Sequence, residues 1–223
     1  MRNALVFVIA VLVAGSAGAA TFQSTPSAAI PDNDGPTNPV FDTIDTSGTF
    51  NPGDTVTFVE IDLMLDHTWV GDLAVVLRSP GGIELQVMAR PGSAAPDEQT
   101  GFPFGDGSNL NSANPITFAD GAGTSAEDLG AGIGGGSDIP AGSYYPDADG
   151  WTTDIATFAE FAGAQADGLW TIQVGDYAAA DTGTLESWVL TVLTPEPSTG
   201  LLVGLGLVGL GAWRRNARTG RGV

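Results

Sequence analysis

Phe58-Val59-Glu60-Ile61-Asp62-Leu63-Met64-Leu65-Asp66-His67-Thr68-Trp69-Val70-Gly71-Asp72-Leu73-Ala74-Val75-Val76-Leu77-Arg78 is the stretch on which the fold turns. Val59, Ile61, Leu63 and Leu65 alternate with Glu60 and Asp62, and Leu73, Val75 and Leu77 alternate with Ala74, Val76 and Arg78. Successive strand side chains point to opposite faces, so each run reads as a strand with one buried face. Ser79-Pro80-Gly81-Gly82 then turns the chain into a third run, in which Ile83, Leu85 and Val87 oppose Glu84, Gln86 and Met88. Asn51-Pro52-Gly53-Asp54 precedes the first run as another turn.

The same period returns late in the chain. Trp170, Ile172 and Val174 alternate with Thr171 and Gln173, and Leu185 to Leu193 forms a last strand with Trp188, Leu190 and Val192 on one face. Asp181-Thr182-Gly183 is the turn ahead of it. Clean alternation without a long helical period predicts an all-β fold, a two-sheet jelly-roll sandwich. Between Pro91 and Gly150 the pattern fades into 13 Gly in 60 residues. That segment reads as long loops with one or two weak strands, Ile116-Thr117-Phe118 among them. Ile155, Phe158 and Phe161 recur at a spacing of three and predict a short helix over Asp154 to Phe161 that caps the core.

Both ends differ from this middle. Met1 to Ala20 has one Arg, an apolar run from Ala4 to Ala14, and small residues ending in Ala17-Gly18-Ala19. This is the build of a secretory signal peptide cut after Ala19 or Ala20. Residues 195 to 223 divide into Pro195-Glu196-Pro197-Ser198-Thr199, an apolar stretch from Gly200 to Trp213, and a polar end with Arg214, Arg215, Arg218 and Arg221. The 14 apolar residues, Leu201 and Leu202 among them, would make a helix of about 21 Å, against roughly 30 Å of bilayer hydrocarbon. Leu201, Leu202 and Trp213 therefore read as a short transmembrane anchor stopped by Arg214 and Arg215, which the positive-inside rule keeps cytoplasmic. The organisation expected is a signal peptide at 1–20, one domain at 21–194 and an anchor segment at 195–223.

Between Thr21 and Thr194 stand 25 acidic residues and two basic ones, Arg78 and Arg90, a net charge of −23. Nucleic acid and anionic lipid are poor partners for such a surface. There is no Cys, which removes disulfides and thiol chemistry. There is also no Lys, so a Ser-Lys dyad is excluded and His67, the single His, would have to carry any triad. At a strand end, its ring suits a structural bond to a carboxylate or backbone group. No catalytic residue is assigned.

The tail resembles the PEP-CTERM sorting signal, in Pro195 to Thr199, the Leu/Gly helix and the Arg214-Arg215 pair in the expected order. The resemblance implies export to the surface or extracellular matrix of a Gram-negative bacterium. Signal peptidase would act at the front and an exosortase near Pro195 to Thr199, with transient anchoring in the inner membrane. The middle resembles the P domain, or Homo B domain, of kexin- and furin-like convertases. The resemblance rests on Ile30 to Asp34, Asp66 to Leu73 with Val75 to Gly82, Asp167 to Val174, and Asp181 to Trp188. In the convertases this jelly roll sits beside a subtilisin-like catalytic domain, so the resemblance implies an association with proteolysis. The Gly-rich segment around Gly130 to Gly136 and the Phe158/Phe161 piece depart from the family.

The expectation is a non-enzymatic β-sandwich module acting by binding or architecture. One alternative is an accessory to a separate subtilisin-like serine endopeptidase. Another is a carbohydrate-binding module for extracellular polysaccharide, with Trp69, Tyr144, Tyr145 and Trp151 as flat apolar faces. A glycosidase would need a carboxylate pair at the right separation, and nothing singles one out. Asp66, Asp72, Asp176 and Asp181 are the candidate oxygen ligands for a calcium ion at strand ends. The competing reading makes them turn-stabilising Asp that bond local backbone.

Overall fold

The computed structural model describes residues 19–35, 37–51, 53–93, 105–147 and 153–195. Residues Ala19–Pro195 form one compact unit. Ten strands follow in chain order: β1 (Ala19–Ser24), β2 (Ala28–Ile30), β3 (Val40–Asp45), β4 (Phe58–His67), β5 (Leu73–Arg78), β6 (Glu84–Ala89), β7 (Ile116–Phe118), β8 (Gly142–Tyr144), β9 (Leu169–Asp176) and β10 (Gly183–Leu193). One sheet runs β1-β10-β4-β7-β8, with β2 also pairing β10, and the second runs β3-β9-β5-β6. The all-β, two-sheet expectation holds.

The alternating residues carry the core. Val59, Ile61, Leu63 and Leu65 of β4 are buried, as are Trp170, Ile172 and Val174 of β9. In β10 Leu185 and Trp188 differ in parity, yet both are fully buried. A register shift between Leu185 and Ser187 against β4 reconciles them, because a bulge inserts one extra residue and restores the facing. Both buried indoles find acceptors, Trp170 Nε1 at Ala166 O (3.2 Å) and Trp188 Nε1 at Asp42 Oδ2 (2.6 Å). Unpaired, each would pay the desolvation penalty of a buried polar group.

Two expectations change. β6 is buried on both faces, since Gln86 and Met88 are as inaccessible as Leu85 and Val87. The segment around Thr153–Ile155 straps β6: Asp154 accepts from Glu84 N at 3.0 Å, and Ile155 N donates to Glu84 O at 3.2 Å. That engagement also shortens the helix expected from Asp154. Only Phe158–Phe161 is helical, a single 3-10 turn with a Thr157/Glu160 capping box. Phe161 packs edge-on against Trp170 at 5.4 Å between ring centroids, so the piece caps the core as expected. At its start β1 pairs Ala19 and Ala20 with Leu193 and Val192.

The Gly-rich segment contributes β7 and β8, joined in the one parallel pairing among the described strands. The expected signal peptide up to Gly18, Glu196 to Thr199 and the expected anchor residues Leu201, Leu202, Trp213, Arg214 and Arg215 lie outside the described residues, as does Trp151. Among the described residues, no helix is long and apolar enough to cross a membrane.

Candidate functional site

The end of β4, the start of β5, the end of β9 and the turn before β10 meet at one end of the sandwich. There β4 hands over to a 3-10 turn at Val70–Asp72, which delivers Asp72 to the mouth of β5. Leu73 pairs with Asp176, and Gly183 pairs with His67. A Cβ on Gly183 would come 2.3 Å from His67 Cδ2 and 2.6 Å from Asp66 O, so glycine alone leaves room for the ring.

His67 and Asp176 are both buried, with Nε2 3.3 Å from Oδ2. The other ring nitrogen, Nδ1, lies 2.9 Å from Trp69 O and 3.2 Å from Trp69 N. The ring is thus held between the Asp176 carboxylate and the Trp69 backbone. Asp176 Oδ1 accepts from Ala178 N at 3.0 Å. Neither ring nitrogen bonds a hydroxyl among the described residues, and a triad requires a hydroxyl nucleophile there.

Asp72 and Arg90 form the second buried charge pair, Nη2 to Oδ1 at 3.6 Å, and Arg90 Nε donates to Gly71 O at 3.1 Å. Burial first, then the neighbouring carboxylates of Asp176 and Asp181, push the Asp72 carboxyl up to about 6 against the pull of Arg90 and His67. Arg90 is missing from the expected site. As one of two cations in a strongly acidic domain it was the detectable signal, because a charge so rare is kept where it is needed.

The four Asp proposed for calcium do not converge. Asp66 and His67 are neighbours on a strand, so they face opposite ways. Asp66 is occupied by Ser112, accepting from its N at 2.7 Å and its Oγ at 3.1 Å. Asp176 is committed to His67 and Ala178. Asp72 and Asp181 share a cavity of about 170 Å³ with Trp69 and Ala179. Among the described residues no group of three His, Asp or Glu side chains is arranged to hold a metal ion.

The aromatic candidates also separate. Trp69 lines that cavity, whereas Tyr144 sits on the edge strand β8 and packs against Phe118, 6.5 Å between ring centroids. Tyr145 is exposed. The sorting segment begins where the fold ends: Leu193 O accepts from Thr57 N at 2.8 Å and Thr57 Oγ1 at 3.1 Å, and Thr194 is 7% exposed. Pro195 follows at once.

Among solved structures, the serine protease of Aeromonas sobria in complex with a chaperone is 18% identical, with a TM-score of 0.44, over 80% of this chain and 27% of that one. The same protease solved by itself gives 17% identity and 0.44, over 79% and 26%. This chain thus spans about a quarter of the protease it resembles. A search of curated proteins finds no match. Family comparison matches residues 145–192, which contain β9 and all of β10 but its last residue, to the proprotein convertase P-domain. The earlier block at Asp66 to Gly82 falls outside that match. Residues 193–216 match the PEP-CTERM protein-sorting motif, so a sorting signal starts on the last residue of the last strand of a two-sheet domain.

Proposed function

We propose that this chain is an exported, surface-sorted binding module: an exosortase processes the tail, and the β-sandwich holds a partner or matrix component without catalysing a reaction. The observation that carries the reading is the sorting-motif match at 193–216, which begins on the last residue of β10. The buried His67, bonded to Asp176 and Trp69 rather than to a hydroxyl, supports the non-catalytic half.

The test deletes Pro195 to Pro197 in a Gram-negative host that carries an exosortase. Processing and surface display should both be lost, while the unfolding midpoint of the domain stays where it was. Unchanged processing would refute the sorting role. A fluorophosphonate probe should leave the purified protein unlabelled, and covalent labelling would refute the non-catalytic role.

The P-domain match favours a second reading, service to a separate serine endopeptidase. Co-expression with a secreted subtilisin-like protease of the same organism distinguishes it. A higher yield of active protease only when this chain is present would favour that reading over the first.

A further inference from the structure

The two sheets are not finished alike at their edges. At one end of the second sheet β6 is covered: Glu84 N donates to Asp154 Oδ2, Ile155 N donates to Glu84 O, and Leu85 bridges Ile155. At the end of the first sheet β8 runs into Tyr145, whose N donates to Thr124 O and whose O accepts from Ala126 N. β3, at the other end of the second sheet, has a neighbouring strand on one side only, β9.

Register decides which backbone groups of β3 are left over. Thr46 N donates to Gly168 O at 2.9 Å, one step beyond the pairing of Asp45 with Leu169. Bonded and non-bonded pairs alternate along an antiparallel ladder. Asp42 and Ile44 therefore bond β9, and the N–H and C=O groups of Phe41, Thr43 and Asp45 point to the open side. β9 has the matching parity, because Tyr177 N donates to Asp72 O at 2.8 Å, which turns Thr171 and Gln173 to β5 and leaves Trp170 and Ile172 for β3. Among the described residues no other group bonds the outward backbone of Phe41, Thr43 or Asp45.

Such a row is a template for another strand, and edges are ordinarily blunted by Lys, Pro, a bulge or a covering segment. Val40–Asp45 contains neither Lys nor Pro, pairs with β9 without a register shift, and meets no covering segment among the described residues. Asp42 is turned to the core, where it accepts from Trp188 Nε1 at 2.6 Å, and Asp45 Oδ1 accepts from Ser47 N at 2.9 Å. Phe41 stands 61% exposed on the strand's outer face. β1, at the corresponding end of the first sheet, offers no such anchor, because Phe22 packs against Phe50 with 6.1 Å between ring centroids.

The edge itself selects the occupant. Its donors and acceptors recur at every second residue, roughly 6.8 Å apart, a spacing that another polypeptide main chain matches. Charge then selects the kind of polypeptide. A second copy of this chain brings the same net charge of −23 between Thr21 and Thr194 and is repelled, whereas a basic segment is attracted. We infer that the open side of β3 takes up an extended, basic segment of another protein as an added strand, with an apolar side chain of that segment set against Phe41.

This deepens the binding role proposed above and rests on it. Amide hydrogen exchange on the purified full chain reads the edge directly. Without a ligand, the Phe41, Thr43 and Asp45 amides should exchange about ten-fold or more faster than those of Asp42 and Ile44. The probe is a blocked synthetic peptide of alternating lysine and valine. Its controls are a version with glutamate for lysine and a fully N-methylated version, which keeps the charge and loses every donor. The lysine peptide should slow the three outward amides roughly ten-fold, and neither control should slow them. Thr43→Pro removes one outward donor and no bond to β9, and Phe41→Thr removes the apolar anchor. Each should weaken the lysine peptide about ten-fold while the melting temperature of the unliganded protein holds. No slowing by the lysine peptide, equal slowing by either control, or undiminished binding by both variants would overturn the proposal. So would protection of the same amides by self-association alone, seen as a dimer in sedimentation velocity, which would give the edge to a second copy. Unchanged tail processing or fluorophosphonate labelling would refute the reading above and leave the response of these amides as it is.

Discussion

Nε2 of His67, on the last residue of β4, lies 3.3 Å from Oδ2 of Asp176, on the last residue of β9. The two strands belong to different sheets. The pair therefore ties the sandwich together at the end where the core stops, and both side chains are fully buried. Removing one partner leaves the other's polar atoms buried and unsatisfied, a loss of about 3–5 kcal/mol for a buried pair. His67→Ala and Asp176→Ala should each lower the urea midpoint accordingly. Asp176→Asn, which still accepts from the ring, should cost less, and equal midpoints for all three variants would contradict the assignment.

Asp72 makes stability depend on pH. Its folded carboxyl is raised to about 6 from an ordinary 3.8, with Asp176, Asp181, Arg90 and His67 facing it. A raised acid binds its proton more tightly in the folded state. Its contribution is complete below pH 3.8 and is lost as pH rises through about 6. Between pH 4 and pH 7 the native protein should lose stability relative to Asp72→Asn by on the order of 1 kcal/mol. Parallel melting curves across that range would contradict this.

Gly71 touches backbone, not side chain. A Cβ there would lie 2.4 Å from Gly105 Cα and from Asp106 N, neither of which can rotate away. Gly71→Ala should cost about 1–3 kcal/mol, the range for overpacking. It should also loosen the adjacent Asp72. Gly123, with open space around it, is the control: Gly123→Ala should leave the midpoint unmoved.

Thr57 pins Leu193 immediately before the sorting motif, and the fold leaves no spacer ahead of Pro195. On the sorting reading proposed above, the processing enzyme meets a motif that follows the folded domain without a spacer. Eight Gly/Ser residues inserted between Thr194 and Pro195 should accelerate processing several-fold with no change in melting temperature. Equal rates, read by pulse-labelling, would show that the clamp does not matter.

Much of this fold could be read in advance where period 2 was clean. Val59 to Leu65, Leu73 to Leu77 and Trp170 to Val174 face the core as their alternation required, since a strand has only two faces. Strands β1 to β3 escaped because they are short and read as polar or alanine-rich, and their pairing with β10 and β9 depends on distant residues. β6 was misjudged for a related reason. Thr153, more than sixty residues further on, bonds the Gln86 backbone, while Met88 lines a cavity with Leu63, Leu65 and Leu129 from other strands and loops.

The sequence alone settled the alternation, the acidity, the lack of thiols and amines for catalysis, and the sorting tail, because these are properties of local order and composition. Tertiary structure decided which polar residues meet. Asp66 and Asp72 looked equivalent on paper. The strand's alternation turned Asp66 outward to Ser112, and a single 3-10 turn carried Asp72 inward to Arg90 and the cavity. Which carboxylate bonds a serine and which meets the buried arginine depends on chain segments brought together across both sheets, and no local pattern encodes that distance.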